Sequence, residues 1–337
     1  MKNSSNNIKW VNTGRALSMI GIYIAHCNFY YLYLNSPAML FSNLFRVSFF
    51  YFISGFLFFR SLEIYSIKHK FSKIANKLIW PALLFPAIIW IPKAVAHGND
   101  LTIFTFSKDI LGGTATWFIS SIIVGQLLLL CLKSYIKNIY IILAITFGCF
   151  LLSFYLAKID PTPFPWYYKS GLIASFFLTL GGVFYKNYNK LKTFLSYKAL
   201  IISGILTIFM HFYTSQKGVY NNIMEVKFEN IPLGLFNNIL GIFFMLQLCH
   251  YLPSVKWLNY MGKNSILFYF FAGGIPLVVG YLTKCYIPFE GYVMTFFVIA
   301  ISIAIMFPIT YIINRYFAWS LDFSKISNKI LKQKRDL

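Results

Sequence analysis

Arg15 and His26 lie eleven residues apart in the first long apolar stretch of the chain, KWVNTGRALSMIGIYIAHCNFYYLYL. In a helix that spacing falls about 20° past three full turns, so both side chains share one face, roughly 16 Å apart along the axis. An ionisable group at membrane depth is costly and by default marks a functional site. A neutral imidazole at His26 is basic enough to take a proton from a hydroxyl group. A histidine bonded between helices for packing is the plainer alternative. Asn12 stands one turn below Arg15.

Three other places combine residue types that lipid would not tolerate or that a ligand would use. Arg46 falls within the apolar run FRVSFFYFISGFLFFR, and no carboxylate in the chain is placed to pair with it, so a bound anion or a carbonyl-rich pocket is implied. In the same run, Ser54-Gly55 admits either a neighbouring backbone or a slender ligand. Lys68, Lys70, Lys73 and Lys77 lead to Trp80-Pro81. Spacings near four put lysines on one helix face, which suits a phosphate-bearing ligand, although topological anchoring explains most such clusters. Trp117-Phe118, in TWFISS, reads as interfacial aromatic belt or as a pocket wall. With no HExxH and no grouped carboxylates, no metal site is expected. The remaining histidines (His69, His97, His211, His250) are weak candidates, and the five cysteines read as small apolar packing residues.

The elements that must position these residues are membrane helices. The chain of 337 residues is 58% hydrophobic and 12% charged, against about 25% charged in globular domains. We expect an all-α integral membrane protein of about ten transmembrane helices, near 11–34, 38–60, 78–96, 113–132, 138–157, 168–186, 197–213, 231–252, 264–283 and 290–317. The fourth and seventh are the weakest. With both termini cytoplasmic, 22 of the 30 basic residues fall inside and six of the nine acidic ones outside, which satisfies the positive-inside rule. The net charge of +21 is then a topology signal rather than a mark of nucleic-acid binding. Residues 1–320 form one membrane domain. Residues 321–337, ending SKISNKILKQKRDL, form a basic cytoplasmic tail.

Taken in order, the motifs resemble the membrane acyltransferase-3 family, which includes bacterial O-antigen, capsule and Nod-factor acetyltransferases. The carriers of the likeness are RALSMIGIYIAH, FFYFISGF with Arg46 before it, KIANKLIWP, Trp117-Phe118, and GKNSILFYF from Gly262 to Phe270. Three positions depart from the family pattern. Asn12 stands where an acid is common, lysines replace arginines in the basic run, and Ala272 stands where a histidine often ends the late motif. The resemblance implies a multi-pass bacterial cell-membrane enzyme that holds no bound cofactor and lacks the family's optional SGNH domain. Its co-substrate would be acetyl-CoA or another acyl-CoA, with the phosphates near Lys73 and Lys77 and the pantetheine arm reaching toward His26. His26 would be the general base, Arg15 would contact the donor or orient the pocket, and Arg46, Ser54, Gly55, Trp117 and Asn12 would line the pocket or the donor path. The acceptor would be a hydroxyl of a glycan or a lipid-linked sugar. A transporter or flippase of polysaccharide intermediates, without acyl-transfer chemistry, is the rival that the intramembrane polar residues also allow.

Overall fold

Polar residues just ahead of the apolar runs start several helices. Ser66 accepts a hydrogen bond from the backbone of His69, Asn138 from Tyr140, Ser196 from Ala199 and Asn230 from Leu233. Each side chain satisfies an amide that a first helical turn leaves without a partner. The structure is a computed structural model that describes residues 9–31, 37–97, 100–163, 165–219, 221–287 and 291–326. Most of the expected basic tail, residues 327–337, lies outside the described residues.

The helices are α1 (Lys9–Tyr31), α2 (Pro37–Asn43), α3 (Ser48–Leu62), α4 (Ile67–Ile74), α5 (Trp80–His97) and α6 (Ile103–Ile110). They continue with α7 (Trp117–Tyr135), α8 (Ile139–Ile159), α9 (Tyr168–Lys186), α10 (Tyr188–Leu191) and α11 (Tyr197–Gln216). The last are α12 (Ile231–Tyr251), α13 (Lys256–Lys263), α14 (Ser265–Phe271), α15 (Ile275–Tyr286) and α16 (Gly291–Tyr316).

Seven helical stretches are long and apolar enough to cross a bilayer: Met39–Leu62, Ile67–Ile91, Thr114–Tyr135, Ile139–Ile159, Tyr197–Gln216, Ile231–Tyr251 and Gly291–Tyr316. The pair α14–α15, bent by 52°, is an eighth if it counts as one broken span. Apart from a short two-stranded ribbon, Asn221–Asn222 with Lys227–Phe228, the described secondary structure is helical, and the chain is a multi-pass membrane protein of the all-α class. The other two expected spans are α1 and α9, whose lengths of 23 and 19 residues suffice, so their polar content sets them apart. The segments read as weakest from the sequence, the fourth and seventh, are continuous helices of 22 and 20 residues.

One compact unit comprises Met1–Ile53, Asn187–Asn221 and Phe228–Phe307. Within it α1 packs against α2, α12, α13, α14 and α15. Bilayer helices associate by close packing of small residues rather than by burial of apolar area, and glycines mark the contacts here. A Cβ on Gly14 would meet the Phe49 ring at 2.9 Å, and one on Gly262 would overlap the carbonyl of Asn12. The span expected over 38–60 is not one uninterrupted helix. Residues 44–47 form a turn between α2 and α3, where the Leu44 carbonyl occupies the space above Gly241 of α12.

The second unit comprises Ser54–Lys186, Asn222–Lys227 and Pro308–Leu337. Here α9 packs between α7 and α8 with most of its side chains buried. Gly55 abuts the Leu178 carbonyl, Gly182 the Phe59 ring, and the Thr146 hydroxyl donates to Thr179 Oγ1 at 3.2 Å.

Candidate active site

In the first unit, α1 carries three of the residues expected to do chemistry. Asn12 is buried, and its carbonyl is the atom against which Gly262 packs. That contact gives the late Gly-Lys-x-Ser motif a physical role, because only glycine lets α13 approach α1 so closely. Arg15 is partly buried with its guanidinium carbon 6.0 Å from the centroid of the Phe50 ring. Its Nε is buried and donates to nothing. His26 is partly exposed, and its Cε1 lies 3.8 Å from where a Cβ on Gly273 would sit. Gly273 belongs to the break between α14 and α15, so the imidazole stands beside interrupted backbone in a spanning segment. Tyr23, one turn before His26, is fully buried and donates to the Phe268 carbonyl at 3.1 Å, tying α1 to α14 next to that break.

Arg46 lies in the turn between α2 and α3, with its Cβ 3.0 Å from where a Cβ on Gly21 would be. Gly21 falls between Arg15 and His26 in α1, so Arg46 flanks that helix at an intermediate height. Its Nη1 donates to Ser42 Oγ at 3.0 Å. Among the described residues the ion pairs are Lys77–Asp322 and Lys169–Asp160; neither Arg15 nor Arg46 has a carboxylate partner. Two arginines are thus held in one unit without a counter-ion, an arrangement suited to an anionic or carbonyl-rich ligand.

In the second unit the basic run begins as α4 and passes through a single π-helical stretch, Ala75–Ile79, into α5. Pro81 accounts for part of this geometry. In a π-helix the carbonyl of Asn76 would accept from residue 81, and proline has no N–H to give. The backbone N–H of Phe323 fills the vacancy, donating to Asn76 O at 3.2 Å. Around that bond, Trp80 Nε1 donates to the Trp319 carbonyl, the Trp80 and Phe323 rings lie 4.8 Å apart, and Lys77 pairs with Asp322 at 3.1 Å. Burial raises the Asp322 pKa, but hydrogen bonds from Ser324 and Lys77 outweigh it and leave the carboxyl below its ordinary range. Lys73 turns back over the Tyr65 ring, its Nζ 3.3 Å from the centroid, a cation–π contact. Of the two lysines expected to meet phosphates, one is stacked on an aromatic face and the other is held by a carboxylate.

The remaining expected site residues are also in the second unit. Ser54 is buried, and the approach that Gly55 permits is taken by the backbone of α9. Trp117 opens α7 and packs edge-on to Phe118 and tilted against Tyr167, ring centroids 5.8 and 6.3 Å away. Sequence reasoning did not single out Ser42, Asp322, Tyr167 or Gly273. Asp322 had a visible signal, being the first acid after a long apolar stretch; the others are ordinary residues until the helices are placed.

The arrangement around α1 can bind an electron-rich group at Arg15 and exchange a proton at His26. The family model described as an acyltransferase domain, Acyl_transf_3, matches residues 8–315. Neither the curated proteins nor the solved structures contain a match to the chain.

Proposed function

The chain belongs to the Acyl_transf_3 family and is an acyltransferase; we propose that its reaction carries an acetyl group from cytoplasmic acetyl-CoA to a sugar hydroxyl. The acceptor is a cell-surface glycan or its lipid-linked precursor, and the membrane is the bacterial cell membrane. His26 takes the proton of the acceptor hydroxyl as its oxygen attacks the thioester carbonyl. The new C–O bond forms, the C–S bond breaks, and the imidazolium returns the proton to the departing thiolate. Arg15 Nε supplies a donor to the polar arm of acetyl-CoA, and Arg46 holds the pocket from its flank. Lys77, once released from Asp322, meets the CoA phosphates. The observation that carries this reading is the buried, partnerless Arg15 Nε on the same helix face as His26.

The ten-span topology with both ends cytoplasmic belongs to the same proposal. Segments that the charge count puts on one face touch one another. On the inner side these are Lys77 with Asp322, Glu63 with Tyr185, and Gln247 with the Phe194 carbonyl. On the outer side they are Trp166 with Gly112, and Ser170 with Met224. The agreement supports the grouping of these segments by face, and the excess of basic residues is the reason for taking the face below Arg15 as the cytoplasmic one.

The test uses the full chain in lipid nanodiscs with labelled acetyl-CoA and a series of glycans. Losing a general base costs ~10²–10⁴-fold, so His26→Ala should remove detectable transfer while leaving the melting midpoint in place. Transfer by His26→Ala at the wild-type rate would eliminate the base assignment.

A further inference from the structure

The second unit holds a partly open cavity of about 100 Å³ that none of the site residues above lines. Its walls come from three separate segments: the end of α8 with Thr162 and Pro163, the start of α9 with Tyr167 and Lys169, and the stretch Met224–Val226. The charge count assigns the loops that carry these residues to the outer face.

Backbone strain is concentrated at this cavity. Trp166, Tyr167 and Val226 adopt φ of 52°, 49° and 55°, and they are the only non-glycine residues with positive φ among those described. For a β-branched valine this is a genuine outlier. Strain of this kind persists only where surrounding contacts over-determine it, and such places concentrate at binding sites. The contacts are present. Trp166 N–H donates to the Gly112 carbonyl at 2.8 Å, Tyr167 N–H to Pro163 at 2.9 Å, and the Ser170 hydroxyl to Met224 at 2.9 Å. The cavity is therefore preformed, which lowers the ordering cost of filling it.

The charges decide what fills it. Lys169 is buried, and its ammonium donates to the Asp160 carbonyl, to Asp160 Oδ2 at 3.1 Å and to the Thr162 carbonyl at 2.9 Å. All three of its donors are committed, and its charge is cancelled by Asp160. Glu225 is exposed and forms no ion pair among the described residues. Glu225 is thus the charged lining group left without an ion-pair partner among the described residues, which disfavours phosphates, whether of acyl-CoA or of a lipid headgroup. A free carboxylate accepts hydroxyl protons well. Tyr167 adds an aromatic face, backed by Trp117, and its neighbours Pro163 and Met224 are apolar. Burial, with Asp109 and Glu225 nearby, raises the Tyr167 pKa, so the phenol stays protonated as a donor.

We infer that this cavity binds one neutral pyranose residue of the acceptor glycan, its C–H face against Tyr167 and its hydroxyls on Glu225. The assignment of the ligand as acceptor rests on the acyltransferase reading above; binding itself does not require it. The test is saturation-transfer NMR on the full chain in nanodiscs, with the methyl glycosides of glucose, galactose, mannose, rhamnose and N-acetylglucosamine, and methyl glucuronide as the anionic probe. At least one neutral glycoside should receive saturation on its ring protons, and methyl glucuronide should receive less. Glu225→Gln, an exposed change that leaves the fold intact, should cut the neutral signal about fivefold or more. Tyr167→Ala, with its melting midpoint checked, should remove it. No transfer to any neutral glycoside, a stronger signal for the glucuronide, or a neutral signal undiminished in Glu225→Gln overturns the proposal. Acetyl transfer by His26→Ala is read separately, so failure of the catalytic assignment leaves this result standing, and the reverse.

Discussion

Replacing Gly262 by alanine tests whether the register of α1 depends on α13. The added methyl would lie 2.6 Å from the Asn12 carbonyl carbon and 2.8 Å from its Cα, and it would overlap the oxygen between them. Backbone cannot rotate away as a side chain can, so the two helices must part by about 1.5 Å to restore ordinary contact. Overpacking of this kind costs ~1–3 kcal/mol, and the backbone contact puts Gly262→Ala toward the top of that range. Asn12 is one turn from Arg15, so the displacement passes directly to the arginine. A reacting group misplaced by about 1 Å can lose ~10²-fold in rate. Gly148 in α8 is the control, because nothing lies within 4 Å of its added methyl. There the change should be neutral or stabilise by up to ~1 kcal/mol through helix propensity. Both variants are made in the full chain, and acetyl transfer and melting midpoint are measured in nanodiscs. Gly262→Ala should transfer about 10²-fold more slowly and melt earlier, while Gly148→Ala keeps the rate and melts no earlier. If Gly262→Ala matches the wild type in rate and midpoint, the reasoning about the α1–α13 crossing is refuted.

Three further outcomes follow from single contacts. Arg15→Lys keeps a charge but loses the Nε donor and the planar fork; a bond from a charged donor is worth ~1.5–3 kcal/mol, so kcat/KM for acetyl-CoA should fall roughly 10- to 100-fold with the melt unchanged. Asp322→Asn frees Lys77, the exposed member of an ion pair whose counterparts at the surface are worth ~0.2–1 kcal/mol, and the KM for acetyl-CoA should drop by up to about fivefold; an unchanged KM would mean that Lys77 does not meet the donor. The Asp160 carboxyl is held down to about 2 by the Thr162 backbone N–H, the Thr162 hydroxyl and Lys169. Its folded pKa lies below the unfolded value, so its contribution is complete above about pH 4 and is lost as pH falls toward 2. Melting midpoints of wild type and Asp160→Asn should differ at pH 6 and converge near pH 2; a constant difference across that window would exclude the linkage.

What the sequence revealed of the site was set by how local each signal is. The Arg15–His26 spacing needs only the geometry of one helix, and Pro81 announces a disturbance at a fixed distance behind it, although a π-helical stretch closed by Phe323 was not legible. The turn at residues 44–47 was hidden because FSNLFRVSFF stays apolar through it; its occasion is the Leu44 carbonyl above Gly241, a partner nearly two hundred residues away. The sequence leaves Trp117 as either belt or pocket wall, and its place against Tyr167 depends on a loop that has no periodicity. The cavity at Glu225 was out of reach for the same reason: it is made by three segments, and its strained valine carries no mark in the sequence.

The two helices that fall short in hydropathy, α1 and α9, are both largely enclosed by protein in their units. α1 contacts five other helices, and α9 lies between α7 and α8 with glycines at its crossings. A helix facing lipid must be apolar around its circumference, whereas one enclosed by other helices can carry Asn12, Arg15 and His26, or Ser170, Ser175 and Thr179, at far lower cost. Low hydropathy in a segment otherwise long enough to span is therefore a mark of enclosure, although enclosure does not require it: Met39–Leu62 is also largely buried and stays apolar. On that argument α1 can keep Arg15 and His26, the pair proposed for catalysis, because other helices surround it, and Leu17→Arg at a partly exposed position of α1 should be tolerated far better than Ile202→Arg on the exposed face of α11. Membrane yield of the two variants measures the difference, and equal yields would show that enclosure does not govern where this chain keeps its polar residues.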